Sequence, residues 1–319
     1  MGETKRQSRQ GRGGNILLIL ALVLMLVVVV SGIYILTHVG KTVKEYKKQS
    51  AALSKVEAQL EEEQAKRDKQ IEEKAQMELD DGAIVEIREE VFTKAAQLEK
   101  DIKAGKNKSK ICYLTFDDGP YYRGKTILKI LDKYDVKATF FLTTANGDRL
   151  PDKAELSAAS MYPEYLRYGH TIGNHTYSHD YGEGGIYKSA NAFMKDMKKQ
   201  ENFTIKATGG YDPKIVRFPG GRATAGKKLE DIEAELRKGG YSWADWTVDS
   251  SDSWGKGKTS PDIIMEQVKD AAKDQDVMVI LCHEWSKDTQ KALPEMIEYL
   301  QGEGYIFLPM FPESSTVLK

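Results

Sequence analysis

From Ile111 to the C-terminus, short apolar runs alternate with amphipathic segments. This texture predicts an α/β fold whose parallel sheet is covered on both faces. About seven such strands suggest a closed or nearly closed barrel. Ahead of it, an uncharged apolar stretch from Asn15 to Thr37 and a charge-dense stretch after it predict one transmembrane helix and a helical stalk.

The apolar stretch comes first. About 20 apolar residues suffice to cross a bilayer as a helix. A cleaved signal peptide has a core of about 7 to 15 residues and a small-residue cleavage site. Neither is evident, so residues 15–39 are read as an uncleaved signal anchor behind a cytoplasmic tail, 1–14. Lys5, Arg6, Arg9 and Arg12 precede the span, while Lys41, Lys44, Lys47 and Lys48 follow it. Counting local positive charge therefore leaves the orientation nearly a draw.

Residues 40–103 read as the stalk. Tyr46, Leu53 and Leu60 repeat every seven with Val56 between, but Arg67 and Lys74 take the next equivalent places. A coiled coil needs three or four sustained heptads. A solvated helix is the better reading, with weak self-association the most it would support. After Gly82, the spacing of Ile84, Ile87, Val91, Ala95 and Leu98 predicts a second amphipathic helix, able to pack on the domain that follows. Residues 104–110 read as the linker, and 104–319 as the catalytic domain.

Strands are predicted at 111–116, 138–143, 171–174, 215–218, 241–246, 277–282 and 305–308. Helices are predicted at 126–134, 154–168, 187–206, 227–238, 262–272 and 287–300. Ser260-Pro261 starts the fifth of these helices, Ser as cap and Pro at the first position.

Two runs carry chemistry: Thr115-Phe116-Asp117-Asp118-Gly119-Pro120 and Asn174-His175-Thr176-Tyr177-Ser178-His179. A catalytic zinc site wants three protein ligands and an open position for water. Asp118, His175 and His179 would fill the three places, leaving Asp117 to take a proton from that water. Alone, Asp-Asp-Gly-Pro is a turn signal. Two histidines four apart would share one face of a helix, without thereby being ligands.

Further runs change that balance, and with them residues 104–319 resemble a polysaccharide deacetylase of the NodB-homology type, carbohydrate esterase family 4. Its motifs occur here in order: Thr115 to Pro120, then His175-Thr176-Tyr177-Ser178-His179, then Arg217-Phe218-Pro219. The fourth, Asp-x-x-Asp-Trp, appears as Asp249-Ser250-Ser251-Asp252, with Ser253 in the tryptophan place and Trp254 following. The fifth reads Leu281-Cys282-His283, with Glu284 where the family usually has Asp. The resemblance implies a distorted (β/α) barrel and hydrolysis of N-acetyl groups. It agrees with the strand reading, because barrels of parallel strands gather their active sites at the C-terminal strand ends. Asp117, His175, Arg217, Asp249, Asp252 and His283 all fall at or after such ends.

By the resemblance, zinc or another divalent metal such as cobalt, nickel or iron sits on Asp118, His175 and His179. Asp117 is the general base and Arg217 holds it by a charge-assisted pair. His283 protonates the departing amine, oriented and raised in pKa by Asp252. The N–H of Tyr121 helps the oxyanion. Leu281 lines the acetyl slot, Trp254 stacks on a sugar face, and Pro219 joins the substrate contacts. Ser253 puts the pocket wall in doubt, since Trp254 would face the other way in an extended segment. His170 and His38 are read as a strand-start and a membrane-edge residue.

Cys112 and Cys282 should sit at different strand heights, so two buried thiols are expected in place of a disulfide. The net charge of −1 and the lack of a basic, aromatic-laced patch give no argument for nucleic acid. The expected protein is a single-pass cell-membrane hydrolase acting on cell-wall glycan, its domain extracellular because such polymers lie outside the membrane. An O-acetyl esterase on xylan or another polymer, or a wall-binding scaffold on a dead deacetylase fold, are the alternatives. The scaffold reading predicts a lost ligand or catalytic group, and none is lost.

Overall fold

The computed structural model describes residues 22–32, 34, 37–51, 54–55, 58–59, 81–145, 155–255 and 258–318. The chain forms two compact units, Met1–Glu78 and Leu79–Lys319. In the first, helix α1 (Leu22–Ala51) is long and apolar enough to cross a membrane or serve as a signal sequence. The expected span begins at Asn15, and residues 15–21 lie outside the described residues, as do Leu53, Val56 and Leu60 of the stalk pattern.

The second unit opens with α2 (Asp81–Lys103) and continues β1 (Lys110–Gly119), α3 (Gly124–Lys133), β2 (Thr139–Leu142), α4 (Glu155–Arg167), β3 (Thr171–Asn174) and α5 (Ala190–Thr208). There follow β4 (Ile215–Val216), α6 (Leu229–Lys238), β5 (Ser242–Trp243), β6 (Val248–Asp249), α7 (Pro261–Ala271), β7 (Val277–His283), α8 (Lys287–Gly302) and β8 (Tyr305–Phe307). All these strands pair in parallel, in the order β5-β4-β3-β2-β1-β7-β6, with β8 beside the start of β1. Among the described residues no ladder joins β5 to β6, so the sheet is a curled half-barrel and not a closed one.

The predicted strand 241–246 is cut short to β5, and β6 follows separately after it. The reason is local: the carbonyls of Ala244 and Asp245 accept from Arg217 Nε (3.0 Å) and Nη2 (3.1 Å). Ala244 N still donates to Val216 O at 3.0 Å, but with both carbonyls turned to the guanidinium the strand ends there. Ser260 caps α7 as expected, its side chain accepting from Ile263 N, with Pro261 behind it.

Successive strand residues face opposite sides, and β1 sorts them cleanly. Cys112, Leu114 and Phe116 enter the layer between sheet and helices with Ile127, Leu131, Leu293 and Ile297. Ile111 and Tyr113 enter the inner face with Phe141, Ile215 and Val279. Gly173 is required there, since a Cβ would lie 2.3 Å from the Phe141 ring. Ala95 of α2 joins Met310, Phe311 and Val317 in this inner cluster, and Ser315 N donates to buried Glu99. The amphipathic helix therefore packs on the barrel, and the compact unit begins at Leu79, ahead of the linker where composition put the domain boundary. Cys112 and Cys282 are free and buried, lying opposite Met278 and Phe116 in the β1–β7 register.

Candidate active site

Toward its C-terminal end the inner face becomes polar. Thr115 and Asp117 continue the row of Ile111 and Tyr113, and the register sets Asp117 beside His283 on β7. Alternation alone would turn Asp118 to the other face. Its φ of 67° breaks the alternation where the β1–β2 register shifts. Asp tolerates this left-handed conformation better than most residues. Both carboxylates thus reach one site.

The two motif histidines do not converge through a helix. Residues 175–180 form a loop with φ of 63° at Thr176 and 50° at His179. Asn174 Oδ1 accepts from Thr176 N (2.9 Å), and Asp196 Oδ1 accepts from Tyr177 N and Ser178 N (2.8 Å each). The loop folds His179 back onto His175, with their Nε2 atoms 3.2 Å apart. Asp118 Oδ1 lies 3.1 Å from His179 Nε2 and 3.6 Å from His175 Nε2.

This donor set suits a divalent cation. One ligand atom from each of Asp118, His175 and His179 lies within 4.8 Å of the others. His175 Nδ1–H donates to the Arg217 carbonyl at 2.9 Å, which fixes the tautomer and aims the Nε2 lone pair at the cluster. Burial pushes His175 and His179 down to about 4, so both rings are neutral, as ligation requires. Burial also pushes Asp118 up, but the neighbouring histidines outweigh it and hold the carboxylate below its usual range.

Beside the cluster, Asp117 is buried and accepts from Arg217 Nη1 at 3.0 Å. The same nitrogen donates to Thr115 Oγ1 at 2.6 Å, and Arg217 itself is 0% exposed. Burial raises the pKa of Asp117, and the Arg217 charge offsets only part of that rise. A carboxylate so raised is a stronger proton acceptor than an ordinary aspartate.

On the other side, His283 Nδ1–H donates to Asp252 Oδ1 at 2.7 Å and its backbone N–H to Oδ2 at 2.7 Å. The Thr289 hydroxyl donates to Oδ2 as well, at 2.5 Å. Burial lowers the His283 pKa, but the Asp252 hydrogen bond and charge raise it more, to about 9. The ring is protonated at neutral pH.

The four substrate-side residues are placed less uniformly. Leu281 is buried opposite Thr115. Pro219 is buried too, its carbonyl accepting from Tyr187 at 2.8 Å. The Tyr121 N–H is already donated, to Glu284 Oε1 at 2.7 Å. Glu284 is fully buried, its other donor is the Tyr165 hydroxyl, and burial pushes it up to about 7. A buried carboxylate must find donors, and it takes the amide that was expected to face an oxyanion. Trp254, after the turn at Ser251 (φ 62°), is 61% exposed and lines an open cleft of about 520 Å³ with Thr247, Asp249 and Lys258.

Sequence reasoning gave no supporting role to Thr115 and Glu284, though both fall in the motif runs, and missed Asp196, Thr289 and Trp285, which no spacing marks. Each acts through another residue. His170 stands just before β3, as expected of a strand-start residue, and is buried, its Nδ1 accepting from Ala138 N at 3.1 Å, with burial pushing it down to about 3.

Half-barrel, carboxylate–histidine cluster and flanking acid–base pairs together describe a hydrolase, and the comparisons agree. The family model described as polysaccharide deacetylase matches residues 104–241. A peptidoglycan-N-acetylglucosamine deacetylase of Bacillus cereus is 32% identical over 210 residues, 64% of this chain and 71% of that protein. A bifunctional xylanase/deacetylase of Pseudobutyrivibrio xylanivorans is 28% identical over 199 residues, 62% of this chain and 29% of that protein. The crystal structure of the catalytic domain of a peptidoglycan N-acetylglucosamine deacetylase from Eubacterium rectale superposes with a TM-score of 0.58 at 32% identity, covering 65% of this chain and 91% of that one. The chain belongs to the polysaccharide deacetylase family.

Proposed function

We propose that this protein is a membrane-anchored, metal-dependent hydrolase that removes N-acetyl groups from N-acetylglucosamine residues of cell-wall peptidoglycan or a related polysaccharide, releasing acetate. The observation that carries the reading is the Asp118–His175–His179 cluster. It lies with Asp117, held by Arg217, on one side and His283, held by Asp252, on the other. The Bacillus cereus relative, named for that substrate, supports the amide over the ester.

When bound at Asp118, His175 and His179, zinc or another divalent ion would polarise the acetyl carbonyl and acidify a water. Asp117 takes a proton from the attacking water as its oxygen bonds to the carbonyl carbon. Arg217 keeps the Asp117 carboxylate oriented throughout, because its other donors are tied to Thr115, Ala244 and Asp245. His283 gives its proton to the sugar nitrogen as the C–N bond breaks, and Asp252 stabilises the imidazolium until then. Acetate and a free amine leave. In this scheme Leu281 borders the acetyl methyl and Trp254 offers a sugar-stacking face. Helix α1 anchors the protein, with the catalytic unit on the outer side where such polymers lie, and the stalk supports at most weak self-association.

A second reading, acetyl-ester hydrolysis on xylan, is favoured by the bifunctional xylanase/deacetylase relative. The same base and acid would serve it. Acetate release by the full chain in mild detergent separates the two. The substrates are N-acetylglucosamine polymer, peptidoglycan and acetylated xylan, each with zinc and after chelation, alongside Asp117→Asn. Metal-dependent release from the amino-sugar polymers, lost in the variant, is the expected result. Release from xylan alone moves the assignment to an esterase, and release unaffected by chelation refutes the metal reading.

A further inference from the structure

The two carboxylate oxygens of Asp118 face different partners. Oδ1 points at His179 and His175. Oδ2 accepts from the indole Nε1–H of Trp285 at 3.1 Å. Trp285 lies two residues past His283 and belongs to none of the sequence motifs.

Its position is well supported. The indole ring sits 5.2 Å from the His283 imidazole, tilted by 40°. Its backbone carbonyl accepts from Arg123 Nη1 at 3.5 Å, which ties the turn after β7 to the loop after β1. The next residue, Ser286, caps α8 by accepting from Thr289 N at 3.2 Å. Asp118, by contrast, stands in the left-handed region, where strand alternation no longer dictates its side-chain direction. An indole N–H is a donor only. It can hold a carboxylate oxygen, but it cannot compete for a cation.

We propose that Trp285 is a positioning residue for the metal site: its N–H engages Asp118 Oδ2, so that Asp118 binds the cation through Oδ1 alone. The inference rests on the metal reading above. Its consequence is a coordination sphere with room for water and the acetyl oxygen, which a carboxylate binding through both oxygens would crowd. Outer partners of this kind typically contribute about 10- to 100-fold in metal affinity.

The test uses the full chain in detergent micelles. Zinc affinity is measured by competition with a chromophoric chelator, and the visible spectrum is recorded with cobalt in place of zinc. Trp285→Phe removes the N–H and keeps a ring beside His283. The expected result is zinc binding weakened about 10- to 100-fold, with cobalt bands of lower intensity as Asp118 swings to bind through both oxygens and the coordination number rises. Wild-type affinity and an unchanged cobalt spectrum in Trp285→Phe overturn the inference while leaving the metal reading intact. A wild-type chain that takes up neither zinc nor cobalt, like His175→Ala, overturns both. Should the variant lose its fold, indole ¹⁵N labelling of the wild type decides instead. One of the four tryptophan N–H signals must shift with one equivalent of zinc, and a spectrum in which none moves overturns the inference.

Discussion

The two sides of the site use the same ring for opposite ends. His175 and His179 are pushed down to about 4 and stay neutral, whereas His283, half-buried, is pushed up to about 9. Burial lowers all three, so burial does not separate them. What separates His175 from His283 is the group on Nδ1. His175 donates to a neutral backbone carbonyl, and His283 to the Asp252 carboxylate at 2.7 Å. A single hydrogen-bond partner leaves one ring neutral and the other charged. Position in the barrel would not have told them apart.

The largest expected effect comes from breaking the neutral side. His175→Ala removes one of the three donors, and isothermal titration with zinc should show binding lost, with activity at background. Next is Asp117→Asn, which keeps the Arg217 contact but cannot accept a proton. Its kcat should fall about 10²- to 10⁴-fold, while zinc affinity stays near that of the wild type. A parallel loss of zinc would mean that Asp117 is a ligand and not the base.

Asp252→Asn tests the charged side directly. Wild-type activity should decline as pH rises through about 9, where His283 loses its proton. In the variant that upper limb should move toward the ordinary histidine value near 6.5, read from the pH dependence of kcat. An upper limb that does not move would exclude His283 as the acid.

Stability carries the same contrast with opposite signs. The folded-state pKa of His283 lies above its unfolded value of 6.5, so its contribution is fully present below about 6.5 and fades as pH rises through 9. That contribution is roughly 3 kcal/mol, visible as a falling melting temperature over this window. His170 runs the other way. Depressed to about 3, it stabilises the fold above about 6.5 and that share is lost as pH falls. His170→Leu gives the smallest functional effect. It leaves the buried Ala138 N–H unpaired, costing about 1 to 3 kcal/mol, with kcat unchanged. A kcat loss there would place a fourth histidine in the chemistry.

Much of the catalytic unit was legible in the sequence because its signals are local. Strand and helix periodicity, the Ser260-Pro261 cap and the Asp117-Asp118 and His175–His179 runs are each read within a few residues. The strand reading failed at 241–246, and the reason lies some 27 residues earlier in the chain, where Arg217 claims the carbonyls of Ala244 and Asp245. No helix was expected at His175 and His179, and how their loop brings them together was equally unreadable. Their spacing fits a helix, yet Asn174 and Asp196 bend the segment into a loop.

The sequence by itself determined the α/β class and the apolar N-terminal helix, and it singled out Asp117, Asp118, His175, His179 and His283, which the fold brings together. Those follow from residue type, period and order, which a chain carries without folding. Only the tertiary structure decided that α2 belongs to the catalytic unit, that the barrel stays open between β5 and β6, that Glu284 takes the Tyr121 amide, and that Trp285 holds Asp118. These rest on contacts between residues distant in the chain. A buried carboxylate or guanidinium must be satisfied by whatever donor or acceptor the packing brings to it, and no local pattern announces which one that is.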